Sequence, residues 1–123
     1  MFTPSVVVLE GFSGFNALKR SMAIGQGAMV DFNQAIKLDP KFALAYNNRG
    51  YVKFRKGDLS GAMADYNQAI KLNPKFALAY CNRGNLKFTK GDLDGAMADF
   101  NQAIRLNPKY AAPYNNRGNV KLR

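Results

Sequence analysis

Three residue series in this 123-residue chain could carry chemistry, and each recurs every 34 positions. Asn48, Asn82 and Asn116 form the first, with Asn47 and Asn115 beside two of them and Asn85 and Asn119 one turn further on. An Asn amide offers both donors and an acceptor, so a row of them can pair with the C=O and N–H groups of an extended peptide without reading its side chains. Arg49, Arg83 and Arg117 form the second series, and Asp31, Asp65 and Asp99 the third. Repeated Arg could read an acidic ligand, but Arg49 lies four residues after Ala45 and three before Val52 and should share their partly buried face. A buried charge needs a partner, so an internal Arg–Asp ladder is expected, with Lys53, Lys87 and Lys121 snorkelling along the same seam.

Catalytic groupings are missing from the pattern. Cys81 is the only cysteine and there is no histidine to activate it. No paired carboxylates, nucleophile–base set or phosphate-cradling loop is legible, so the chain reads as a non-enzyme. One cysteine allows no intrachain disulfide, and without histidine a zinc site would need carboxylates; no metal or cofactor is implied.

These side chains are positioned by a repeat. The segments DPKFALAYNNRG, NPKFALAYCNRG and NPKYAAPYNNRG begin at Asp39, Asn73 and Asn107, and residues 43–76 match residues 77–110 at 26 of 34 positions. Within one period, Ala43 to Lys56 and Ala62 to Leu72 read as two helices. Gly57 and Gly91 can close the first in a left-handed conformation, and Asp58 and Asp92 can cap the second. Pro40, Pro74 and Pro108 cannot continue the preceding helix and suit the first turn of the next. The second helix carries Leu59, Ala62, Met63, Tyr66, Ala69 and Ile70 at helical spacing, and Gly50 on the first would admit a close helix approach. One such hairpin cannot bury its apolar faces alone, so neighbouring copies must stack.

The set Tyr46, Gly50, Gly57, Asp58, Ala62, Tyr66, Ala69 and Pro74, repeated as Tyr80, Gly84, Gly91, Asp92, Ala96, Phe100, Ala103 and Pro108, resembles the tetratricopeptide repeat (TPR) at its proper period. The resemblance implies an all-α fold, an α-solenoid of stacked antiparallel helix-turn-helix units wound as a right-handed superhelix. The expected organisation is a poorly defined segment 1–26 with a degenerate helix near Phe12 to Ile24, a second helix over 27–42, whole repeats over 43–76 and 77–110, and a first helix or cap over 111–123. Residues 1–11 carry no repeat signal and read as disordered or as a gene-model boundary. A fragment of a longer array is the competing reading of the carboxyl end.

The resemblance also places ligands. In such arrays the first helices line a concave groove, which here would present Asn47, Asn48, Tyr51, Asn82, Asn85, Asn115, Asn116 and Asn119 as a peptide-binding ladder. Similar repeats that hold acidic carboxyl-terminal tails of heat-shock chaperones use two Asn with several Lys and Arg. Asn82 and Asn85 fit that Asn pair, but Asn47 and Asn116 stand where Lys and Arg are expected, and Leu78 and Ala112 replace further Lys. Acidic peptides remain the expected class, chaperone tails specifically do not.

The net charge of +10, from 18 basic against 8 acidic residues, favours acidic partners and makes their binding salt-dependent. Lys37, Lys71, Arg105, Lys41, Lys75, Lys109, Lys56 and Lys90 form edge stripes, so RNA binding through phosphates is the alternative, although Tyr51 alone would be a stacking platform. Exposed ends make homo-oligomers by end-to-end stacking or helix exchange a further expectation. No run reaches the roughly 18 apolar residues of a membrane span. A secretory signal is not legible either; the cytoplasm is the default address, with an organellar presequence using Lys19 and Arg20 as the alternative.

Overall fold

The computed structural model describes residues 25–123, so the expected degenerate helix near Phe12 to Ile24, and residues 1–11, lie outside the described part. Six helices follow one another: α1 Gln26–Leu38, α2 Ala43–Arg55, α3 Leu59–Leu72, α4 Ala77–Thr89, α5 Leu93–Leu106 and α6 Ala111–Lys121. There is no strand among the described residues. Each helix packs on the next in sequence, and α2, α4 and α6 also touch one another in turn, so they form one layer of a stack. No described helix is long and apolar enough to cross a membrane.

Local sequence sets the breaks. Gly57 and Gly91 both take φ +88, which an L side chain rarely adopts, and this ends α2 and α4. The next residues, Asp58 and Asp92, accept from the backbone N–H of Gly61 and Gly95 at 2.9 Å, satisfying an orphan donor. That cap starts the second helices at Leu59 and Leu93, so the one in the first whole repeat begins three residues before the expected start at Ala62. The prolines are also placed differently from expectation. Pro40, Pro74 and Pro108 sit in the turns rather than in a first helical turn, and the N-caps are Phe42, Phe76 and Tyr110. The Asp39 and Asn73 side chains brace two of these turns by accepting from the N–H of Lys41 and Lys75 at 3.2 Å.

Two clusters form the core. Ala62, Tyr66 and Leu86 make one, flanked by Phe54, Leu59 and Met63. Cys81, Ala96, Phe100, Ala103 and Val120 make the other. Leu86 comes from α4 yet completes the cluster of the preceding hairpin, which is how one unit finishes the core of its neighbour. Full burial of rings such as Tyr66 and Phe100 contributes roughly 2–3 kcal/mol each.

Those rings pack directly against glycine. A Cβ on Gly50 would meet the Tyr66 ring at 2.9 Å, and one on Gly84 would meet the Phe100 ring at 2.6 Å, whereas one on Gly118 would find nothing within 4 Å. Gly84→Ala should therefore cost about 1–3 kcal/mol from overpacking despite the gain in helix propensity. Gly118→Ala, with the same propensity gain and no clash, should be neutral or stabilising by up to about 1 kcal/mol. Urea denaturation of the two variants in dilute solution checks this; equal effects would refute the ring-on-glycine packing.

Candidate functional site

The layer α2, α4, α6 has an inner and an outer side. At 100° per residue, Asn48 lies about 200° round α2 from Gly50, opposite the face that packs on α3. Leu44, Asn48, Tyr51 and Arg55 form one stripe at spacings of four, three and four; Leu78, Asn82, Asn85 and Thr89 repeat it on α4, and Ala112, Asn116 and Asn119 on α6. Leu44 and Tyr51 are 43% and 44% exposed, which is high for large apolar groups and leaves them open to contact. The Tyr51 hydroxyl accepts from Arg55 Nη1 at 3.0 Å, and the Arg123 guanidinium lies 4.6 Å over the Phe88 ring. Arg55 is thus a cation of this outer stripe, whereas Arg123 lies beyond the end of α6 and sits on Phe88, which packs against the core. The spacing of seven from Asn48 was the signal for Arg55.

Asn47 departs from the expected surface role. It is 1% exposed and lies in the seam between α2 and α4, where its Oδ1 accepts from Asn82 Nδ2 at 3.0 Å. Its own amide donates to Asn48 Oδ1 at 3.4 Å. The reason is angular: Asn47 lies only about 60° from Gly50, towards the buried side. Cys81, its equivalent in the next unit, is buried as well and accepts from Asn116 Nδ2 at 3.6 Å. Asn48, Asn82, Asn85 and Asn116 are half-buried, while Asn115 and Asn119 are exposed. The Asn82 and Asn116 amides are therefore held by one N–H each, leaving Oδ1 and a second N–H to other partners.

The opposite face of the layer holds the charges. Asp65 is 3% exposed and takes a fork from Arg49, Nε to Oδ2 and Nη2 to Oδ1, both at 2.8 Å. Lys53 Nζ stands 3.1 Å from Oδ2. Asp99 repeats the set with Arg83 at 2.8 Å and Lys87 at 3.0 Å. The third Arg nitrogen ties consecutive hairpins, since Arg49, Arg83 and Arg117 Nη1 donate to Asn33, Asn67 and Asn101 Oδ1, each at 2.9 Å. The hydrogen bonds to Asp65 and Asp99 raise the already high pKa of Arg49 and Arg83 against the opposing effect of burial. Among the described residues Arg117 has Asn101 and, 5.5 Å away, the Tyr114 ring but no carboxylate, and Asp31 is exposed and outside the four ion pairs.

Each buried carboxylate thus has two cations, and removing the carboxylate or its fork should be costly. Arg49→Gln should destabilise by about 2–3 kcal/mol, because Lys53 alone remains on a buried charge, while Arg117→Gln should cost under about 1 kcal/mol. Chemical denaturation separates them, and equal costs would count against a role for the fork. Burial pushes the Cys81 thiol above its ordinary pKa, with hydrogen bonds to it pulling less strongly the other way. Its alkylation by iodoacetamide at pH 8 should accordingly wait for unfolding; reaction of the native protein at the rate of a free thiol would contradict the seam position.

Comparison with known proteins agrees with this architecture. The TPR repeat profile matches residues 26–57, 50–91 and 84–123. No curated protein sequence matches the chain. Among solved structures, the first TPR of Spaghetti (RPAP3) bound to the HSP90 peptide SRMEEVD is 21% identical over 91% of this chain and 83% of that one, with a TM-score of 0.73. The first TPR domain of human RPAP3 is 25% identical over 85% and 87%, with a TM-score of 0.75. The second TPR domain of human RPAP3, in complex with the HSP70 peptide SGPTIEEVD, is 24% identical over 90% and 87%, with a TM-score of 0.70. With the repeat profile spanning residues 26 to 123, this chain belongs to the TPR repeat family.

Proposed function

We infer that the protein is a non-catalytic interaction scaffold whose outer stripes on α2, α4 and α6 hold an extended, acidic peptide. The observation that carries this reading is the alignment of half-fixed amides. Asn82 and Asn116 are each anchored by one N–H to the preceding helix, so their free Oδ1 and N–H atoms are oriented before a ligand arrives. Successive amides of this kind suit the alternating donors and acceptors of an extended backbone. Asn48, Asn85 and Asn119 extend the row, while Asn115, at the position of Asn47 and Cys81, turns towards the seam side; Tyr51 with Leu44 offers an apolar contact at one end. Asn47 contributes from behind, as the anchor of Asn82 rather than as a ligand contact.

Acidity is favoured by Arg55 on the stripe and by the net charge of +10. Two of the structural neighbours are complexes with peptides ending in EEVD, which supports the same ligand class. The stripe differs from a Lys- and Arg-rich carboxylate clamp, because Leu44, Leu78 and Ala112 occupy its first rung. Acidic side chains along the peptide are therefore read mainly by Arg55 and the edge lysines, and the peptide backbone by Asn.

Asn85 and Asn119 test the proposal best, since neither side chain takes part in a seam bond among the described residues. A pool of labelled acidic peptides and a labelled RNA are titrated at two salt concentrations. Combining Asn85→Ala with Asn119→Ala should weaken peptide binding about tenfold or more while leaving stability within about 0.5 kcal/mol. Binding of RNA alone, with a steep salt slope and no response to the double variant, would replace the peptide reading with a phosphate-binding one.

A further inference from the structure

The rungs of the outer stripe are alike along the Asn row and unlike on either side of it. At about 1.5 Å per residue, Leu44 stands about 6 Å before Asn48 along α2, and Tyr51 about 4.5 Å after it. Arg55, one turn further on, reaches back: its Nη1 donates to the Tyr51 hydroxyl at 3.0 Å, and its guanidinium carbon lies 5.8 Å from the centre of that ring. The hydroxyl oxygen is thereby used as an acceptor, and its own O–H is left to donate beside the remaining N–H groups of Arg55. Both side chains are exposed. The other cations of α2 and its cap are engaged elsewhere, Arg49 and Lys53 on Asp65 and Lys56 on Gln26. At the positions of Tyr51 and Arg55, α4 carries Asn85 and Thr89, and the Thr89 hydroxyl donates to the Asn85 carbonyl of its own helix at 3.0 Å. In the third unit the matching residues are Asn119 and Arg123, the latter turned onto the Phe88 ring.

We propose that Tyr51 and Arg55 form a subsite for the side-chain carboxylate of an Asp or Glu that adjoins an apolar residue, so that the ligand is an extended peptide carrying this pair over α2. The proposal rests on the reading of the Asn row as the contact for the peptide backbone. The Tyr51 O–H donates to one carboxylate oxygen and an Arg55 N–H to the other, and the two donors are already held together before the ligand arrives. A main chain lying on Asn48, Asn82 and Asn116 passes about one helical turn from this pair, a gap that an acidic side chain spans; a terminal carboxylate would lie on the row itself. Successive side chains of an extended peptide point to opposite sides, so a neighbour of the acidic residue faces the other flank. That flank is apolar: Leu44 is 43% exposed and Leu78 follows it on α4. With helices roughly 8–10 Å apart and about 3.3 Å per peptide residue, about three residues separate one rung from the next. The acidic residue is therefore read at α2, and the peptide that continues over α4 meets Asn and Thr there.

The probe is an array of short polar peptides with amidated carboxyl ends, carrying Glu–Leu, Gln–Leu or Glu–Ser at the centre in both orders, and binding of the labelled full chain is measured. Glu–Leu should bind about tenfold better than Gln–Leu and several-fold better than Glu–Ser. Arg55→Gln should bring the Glu-to-Gln ratio to within about twofold, and Tyr51→Phe, which keeps the ring, should cut it about threefold. Lys75→Gln removes the same charge from an edge of the stack and should leave the ratio almost unchanged. Circular dichroism confirms that each variant is folded. A loss with Lys75→Gln as large as with Arg55→Gln would mean that net charge reads the acid, and overturns the proposal. So does a ratio unmoved by both α2 variants, or a preference seen only when the peptides end in a free carboxylate. In those cases the backbone reading of the Asn row still stands if Asn85→Ala with Asn119→Ala weakens binding. If no peptide of the array binds, both readings fall.

Discussion

A carboxylate that is almost wholly removed from water has to be neutralised where it lies, and Asp65 and Asp99 make that demand once per hairpin. The fork from Arg49 or Arg83 answers it only if the two helices stand at a fixed height and rotation, because both N–H···O contacts must close together. Gly50 and Gly84 set the distance, by letting a ring occupy the space of a missing side chain. The remaining Arg nitrogen then reaches the previous hairpin's Asn. One guanidinium thus fixes both the geometry within a unit and the register between units, and the outer stripe inherits its alignment from that frame.

This division of labour explains why so polar a helix as α2 is stable in the stack. The helix has Arg49 and Lys53 on its inner side with Asp65 between them, and Arg55 alone is left to the outer side, beside Tyr51. Its outer side keeps Asn, Tyr and Leu groups that no neighbouring helix satisfies fully. Binding surfaces on repeat arrays arise in this way: the elements facing one another along the stack are constrained by packing, and only the side away from the second helices is free to vary. The positions that differ between the two complete units on that side, Tyr51 against Asn85 and Arg55 against Thr89, are where one rung can be distinguished from another.

Much of the frame was legible from spacing because its causes are local. Gly57 followed by Asp58 dictates a left-handed stop and then a cap, and both depend on a few adjacent residues. The helix start at Leu59 was less plain: Leu59 already fits the apolar stripe, but only the cap geometry shows that the helix begins there rather than at Ala62. Pro40 shows the opposite error: its ring suits a first helical turn, but Asp39 and the chain reversal hold it in the turn before. Asn47 was misplaced because adjacency to Asn48 suggests a common face, while rotation along the helix separates them by 100°. Cys81, a small buried residue at the equivalent position, was the clue that this site belongs to the interior. Contacts across 35 residues, such as Asn82 on Asn47, depend on how two units settle against each other and leave no mark in either one alone.

The two seams of the first-helix layer are built with different atoms. Between α2 and α4 an amide meets an amide at 3.0 Å, whereas between α4 and α6 an amide meets a sulfur at 3.6 Å, a softer and weaker acceptor. A solenoid held by nearest-neighbour contacts melts from whichever junction is weakest. The seam between α4 and α6 is therefore the softer of the two in this layer. A ligand spanning both seams would act as a splint across the weaker one, so that occupancy of the outer stripe and cohesion of the carboxyl-terminal unit are a single equilibrium.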